Sequence, residues 1–172
     1  MRRLLLLTLV LSLVAAACGE VDTGVIPGSG SVEANGATFE FECGGEGAPV
    51  VLLVDGVHLD ILRPEEGFPT YPHAFEDLVE LTTVCRYYTR GYRGSTPVAM
   101  GETQTAASQV DDLHAMIEAA GWNGPFVLVG ASWSALNVLL FADEHPDLVS
   151  GIVLIDPVTP SMASNRFAIS YP

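Results

Sequence analysis

Apolar positions in this chain alternate between short unbroken runs and longer stripes at three-and-four spacing, as expected of strands and helices taking turns. Ser31 to Ala34 and the alternating stretch Thr38 to Cys43 flank Asn35-Gly36. Both turn residues of that pair tolerate positive φ, so the spacing predicts an antiparallel hairpin. Val50 to Val54 is a continuous apolar run, the pattern of a strand buried on both faces. Ala74, Leu78 and Leu81 mark a short helix covering one sheet face, and Val84 to Tyr88 reads as the next strand. Ala106, Val110, Leu113, Ile117 and Ala120 follow helical spacing up to Gly121, a C-cap residue. Phe126 to Val129 then leads through Gly130-Ala131-Ser132-Trp133-Ser134 into a helical pattern from Trp133 to Glu144 that ends near His145-Pro146. Gly151 to Ile155 is one more buried strand, finished by Asp156-Pro157. This alternation predicts an α/β fold: an N-terminal antiparallel hairpin, then a mostly parallel sheet with covering helices.

The ends of the chain change the picture. Arg2 and Arg3 precede the apolar stretch Leu4 to Val14 and the small residues Ala15 to Ala17, so residues 1–17 read as a signal peptide. That stretch is short of the ~20 apolar residues that span a bilayer. Cys18 follows directly, which resembles a bacterial lipobox with Cys18 as the lipidated N-terminus; a plain secretory signal is the alternative. Residues 18–30 are glycine-rich with few packing groups and read as a flexible tether, 31–160 as the domain, and 161–172 as a tail opening a cap or linker. An extracytoplasmic protein, secreted or anchored in the cell envelope, is expected. With Cys18 lipidated, Cys43 and Cys85 remain as a disulfide pair or as two buried thiols.

Charge narrows the partners. Every basic residue is arginine, seven against 21 acidic residues, for a net charge of -14. Without clustered positive charge a nucleic-acid partner is not expected, and the only membrane contact expected is through the lipid anchor. The cysteines and histidines lack metal-ligand spacing, and no G-x-G-x-x-G follows a strand, so neither a metal nor another cofactor is expected. Nothing in the sequence specifies an oligomeric state.

The pentapeptide carries the chemistry. A serine between strand and helix has its hydroxyl lifted clear of the sheet, with nearby N–H groups able to stabilise an oxyanion. Together with VVLLVDG, YYTRGYRGSTP, VDDLHAMIEAAG and FVLVGASWSALNVLLFADEHPDLVSGIVLIDP, in that order, it makes the chain from Thr38 to Pro160 resemble the N-terminal part of an α/β-hydrolase fold protein. The resemblance implies Ser132 as nucleophile and the backbone N–H groups of Trp133 and Val57 as oxyanion donors. It also places Cys43 and Cys85 on adjacent antiparallel strands, which favours the disulfide. Asp156 occupies a position where haloalkane dehalogenase relatives place the triad acid and where other members keep an aspartate to tie strand to loop.

Several positions depart from the family pattern. Asp55-Gly56 replaces the usual His-Gly, Tyr88 stands for an aspartate, Gly91-Tyr92-Arg93-Gly94 replaces the usual G-x-G loop, and Ser134 replaces the last glycine of G-x-S-x-G. The family's catalytic histidine follows a later strand. Of the four histidines, His114 and His145 read as exposed helix residues, His73 as a helix start, and His58 alone leaves the sheet on the catalytic edge. The expectation is therefore an α/β-hydrolase fold cut short after its sixth strand. Its activity would be that of a serine hydrolase of esterase or peptidase type on small esters, amides or peptides, with weak or no turnover by the chain as written. A non-catalytic hydrolase-like binding module is the alternative, and an acyltransferase a third reading.

Overall fold

A computed structural model describes residues 24–25, 27–55, 71, 73–159 and 169–170, the last two without their side chains. The hairpin consists of β1 (Gly28–Ala34) and β2 (Ala37–Gly44), paired antiparallel with Ala34 opposite Ala37. Asn35 and Gly36 sit at φ 46° and 71°, so the two-residue turn matches the strand twist. The strand starts three residues before the expected domain boundary. Gly30 packs under the Phe41 ring, where a Cβ would lie 2.8 Å from Cζ, so this glycine serves close packing as well as chain freedom.

Next come β3 (Val50–Val54), α1 (Ala74–Leu78), β4 (Val84–Tyr87), the short β5 (Thr103–Gln104) and α2 (Ala106–Ala120). They are followed by β6 (Phe126–Ala131), α3 (Ser134–Glu144), a 3-10 turn (Pro146–Leu148), β7 (Val149–Ile155) and β8 (Ile169–Ser170). The main sheet runs β1-β2-β4-β3-β6-β7. Its β1/β2 and β2/β4 pairs are antiparallel, while β3/β4, β3/β6 and β6/β7 are parallel. β8 pairs antiparallel with β5. The fold class expected from the pattern is therefore present: an antiparallel hairpin joined to a parallel sheet.

Side chains alternate across β3. Val50, Leu52 and Val54 face the core that α2 and α3 cover with Val110, Leu113, Ile117, Val138 and Phe141, whereas Val51 and Leu53 face Tyr71 and Phe75. Helix α2 is delimited as the sequence indicates. Thr105 and Ser108 form a reciprocal capping box at its start, and Gly121 closes it at φ 69°. Cys43 and Cys85 face each other across β2 and β4 and form a disulfide.

Three expectations need correction. Leu81 covers nothing: α1 ends at Leu78, and the N–H groups of Leu81 and Thr82 both donate to the Leu78 carbonyl, turning Leu81 outward to 79% exposure. His114 and His145 are half-buried instead of free in solvent, stacked on each other. In β7, expected to be buried, Ile152, Val153 and Ile155 are exposed, because among the described residues only β6 pairs with it and Val153 and Ile155 lie beyond the reach of α1.

An ion pair between buried Asp112 and half-buried Arg90 fastens the hairpin to α2. Arg90 donates to both carboxylate oxygens of Asp112, at 2.7 and 2.9 Å, and Asn35 donates to the same carboxylate at 2.7 Å. Removing Asp112 leaves a half-buried Arg90 charge that keeps only the Asn35 carbonyl, at 2.8 Å, among its described hydrogen-bond partners, which costs less than the roughly 3–5 kcal/mol of a fully buried pair. Asp112→Ala is therefore expected to lower unfolding free energy by about 1–3 kcal/mol in urea titration; an unchanged midpoint would show that the pair contributes nothing.

Candidate active site

The site begins with a steric demand. At Gly130 a Cβ would lie 2.8 Å from the Ser134 carbonyl oxygen and 2.8 Å from Val138 Cγ2, so only glycine lets α3 start this close to β6. The chain must reverse within Ala131 to Trp133, and Ser132 adopts φ 52°, a left-handed conformation that costs a non-glycine residue roughly 1–3 kcal/mol. Backbone bonds hold it there. The Ser132 N–H donates to the Ile155 carbonyl at 3.0 Å, and the Ser132 carbonyl accepts from Val158 N–H at 2.9 Å. The Ser132 side chain is left exposed at the apex, and no hydrogen bond among the described residues reaches its hydroxyl.

Trp133 is buried, its indole N–H donating to Gln109 Oε1 at 3.3 Å, and Asn137 Nδ2 donates to the same oxygen at 2.8 Å. This buried set fixes the residue expected to supply an oxyanion N–H. Gln109 and Asn137 escaped the sequence reading. For Asn137 the signal was an amide between Leu136 and Val138 in an apolar helical stretch; Gln109, between Ser108 and Val110, carried none.

Ser134 is also fully buried. Its hydroxyl accepts from Ala131 N–H at 2.8 Å and donates to the Ala131 carbonyl at 2.9 Å, so the substituted glycine position is a bonded one. Tyr71 adds a third hydroxyl. Its O–H lies 3.1 Å from the carbonyls of both Val54 and Val129, and 3.5 Å from Ser134 Oγ. Burial, with the Asp55 charge adding to it and the Ser134 bond opposing, pushes the Tyr71 phenol up to about 12. Tyr71 thus stays a neutral donor. Asp55, at the end of β3, is buried beside this cluster.

Asp156 follows β7 at φ 44° and is exposed; the elbow is bonded to its neighbours Ile155 and Val158, and no side-chain bond joins it to Ser132 among the described residues. Val57, His58 and Cys18 lie outside the described residues. His145 follows α3, whose 11 residues rise about 16 Å away from the elbow. It stacks on His114 with ring centroids 3.9 Å apart and planes within 3°, and both rings contact Phe141. His73 is exposed at the start of α1. No hydrogen bond joins any of these three to Ser132 among the described residues. Among the described residues, no three or more His, Cys, Asp and Glu side chains gather as metal ligands.

A strand, a left-handed serine and a helix on a mixed sheet of this order define an α/β-hydrolase elbow. The profile of the alpha/beta hydrolase fold matches residues 67–171, more than half of the chain, and the chain belongs to that family. Among solved structures it is similar to epoxide hydrolase A from Mycobacterium thermoresistibile, with 28% identity and a TM-score of 0.59 over 75% of this chain and 39% of that one. A serine hydrolase involved in carbazole degradation shares 21% identity and a TM-score of 0.61, over 76% of this chain and 48% of that one. A membrane phospholipase A shares 21% identity and a TM-score of 0.62, over 92% of this chain and 53% of that one. The chain thus spans about half or less of these proteins. No curated protein sequence matches it.

The histidine stack gives a pH dependence. Burial first, then the neighbouring His114, holds the His145 imidazole below its ordinary 6.5, with Glu144, Asp111 and Glu118 opposing. The unfolded chain therefore takes up this proton at higher pH than the folded one. The resulting contribution to stability is present above pH 6.5 and is lost as pH falls below it. Replacing the imidazole by a neutral amide, His145→Gln, is expected to flatten the fall in Tm between about pH 7 and pH 5. A slope identical to wild type would remove His145 as its source.

Proposed function

We propose that this protein is a serine hydrolase of esterase or peptidase type, with Ser132 as nucleophile. The observation that carries the reading is the exposed Ser132 side chain at a left-handed apex, φ 52°, between β6 and α3. In the proposed reaction Ser132 Oγ attacks the carbonyl carbon of a small ester, amide or peptide and forms an acyl-enzyme that water then hydrolyses. The N–H of Trp133, and that of Val57 from the loop after β3, would bind the developing oxyanion. One such donor is typically worth about 2.7–4 kcal/mol in the transition state. Asp156 would orient a histidine base; His145, at the far end of α3, and His114, stacked on it, cannot fill that place. The phospholipase and serine hydrolase among the structural neighbours support acyl chemistry without specifying the substrate. The surplus of acidic residues disfavours polyanionic partners such as nucleic acid.

A second reading, a hydrolase-like binding module without turnover, is favoured by the Ser132 hydroxyl having no hydrogen-bond partner among the described residues. A fluorophosphonate probe separates the two. Labelling of wild type that disappears in Ser132→Ala supports the nucleophile, whereas folded wild-type protein that takes up no probe supports the module.

We also propose an extracytoplasmic location, with Cys18 as the lipid-bearing residue after removal of residues 1–17. The Cys43–Cys85 disulfide supports an oxidising compartment. In a bacterial host, Cys18→Ser is expected to move the protein from the membrane fraction to the soluble fraction; a wild type already soluble would exclude the anchor.

A further inference from the structure

The usual family glycine is replaced by Ser134 at the elbow, and the local hydrogen bonds show what the serine does. The β3–β6 ladder ends at the Val54–Gly130 pair. The next residue, Ala131, gives its N–H to Ser134 Oγ at 2.8 Å and receives the Ser134 proton on its carbonyl at 2.9 Å. Ser134 is fully buried and Ala131 half-buried, so water replaces these two bonds only in part. The Ser134 proton is committed to Ala131, which leaves an oxygen lone pair facing the Tyr71 hydroxyl at 3.5 Å. Tyr71 has one proton to offer and three oxygens around it, those of Val54, Val129 and Ser134. Two of them belong to β6 and α3, on either side of Ser132, and the third ends β3. The two hydroxyls therefore bridge β3, β6 and α3 just below the apex.

We propose that Ser134 and Tyr71 are positioning residues for Ser132: the Ser134 hydroxyl takes over as partner of the β6 backbone where β3 ends, the Tyr71 hydroxyl ties it to the Val54 and Val129 carbonyls, and together they hold the elbow in its left-handed turn. The proposal rests on Ser132 being the nucleophile. Its sharpest consequence runs against simple expectation. Ser134→Gly, which restores the usual G-x-S-x-G pattern, would make Ser132 less reactive, because Ala131 would lose both partners while the steric relief would be small.

The test uses the full chain and the variants Ser134→Gly, Ser134→Ala, Tyr71→Phe and the Tyr71→Phe/Ser134→Gly double. Two readouts are followed: amide hydrogen exchange at Ala131 relative to Leu128 and Ile117, and the fluorophosphonate reaction separated into its binding constant and its maximal rate. Ala131 exchange is expected to rise about tenfold in either Ser134 variant, the loss of a buried hydrogen bond. The maximal labelling rate should fall by about the same factor, with the binding constant within about twofold. The double variant should be little worse than Ser134→Gly alone, because residues sharing one network are not additive. Ser134→Gly labelling as fast as wild type, with Ala131 exchange unchanged, would overturn the proposal. If wild type takes up no probe, the nucleophile reading fails separately and exchange alone decides: faster exchange at Ala131 with Leu128 and Ile117 unchanged supports the clamp, and no difference defeats it.

Discussion

The catalytic edge depends on one close approach, that of α3 to β6 at Gly130, where even a methyl group would collide with the Ser134 carbonyl and with Val138. Strand and helix this close leave the chain three residues in which to reverse, and the left-handed serine follows from that geometry. A strained turn persists only where its surroundings over-determine it. Here the surroundings are Ile155 and Val158 on the β7 side and Ser134 with Tyr71 on the β3 side. The elbow is therefore held from both sides, and what it displays is an exposed hydroxyl.

Much of this was legible in the sequence where the cause is local. The Asn35-Gly36 turn, the apolar run of β3, the α2 stripe closed by Gly121 and the serine apex each follow from a few adjacent residues. The resemblance to a known family then assigned roles to Ser132, Trp133 and Asp156. The rest depended on partners distant in the chain. No local pattern marks Tyr71, and its meaning comes from Val129, 58 positions away. Leu81 fits a helical stripe by spacing, yet the turn at Leu78 ends the helix before the stripe can use it. Gly28 to Gly30 have the composition of a tether, but their register against β2 makes them strand. Ser134 reads as a mild steric change because side-chain size is visible in a sequence, whereas the two backbone groups it satisfies are not.

Charge is distributed in the same economical way. The described arginines that flank the β2–β4 region are all engaged: Arg86 with Glu42 at 2.8 Å, Arg90 with Asp112, and Arg93 over the Tyr88 ring at 4.7 Å. The scarce positive charge serves to join segments of the fold. Apart from buried Asp55 and Asp112, the described acidic residues lie at or near the surface, where they keep like-charged molecules apart.

The disulfide has a mechanical meaning as well as a chemical one. Cys43 and Cys85 close a loop that contains β3 and α1, the central strand of the sheet and the helix packed beside it. Tension applied between the two ends of the chain would pass from β2 to β4 through the sulfur atoms, and the enclosed segment would bear none of it. Half of the catalytic edge, that built from β3, is shielded from a pull on the chain, while the elbow on β6 lies directly in the line of force.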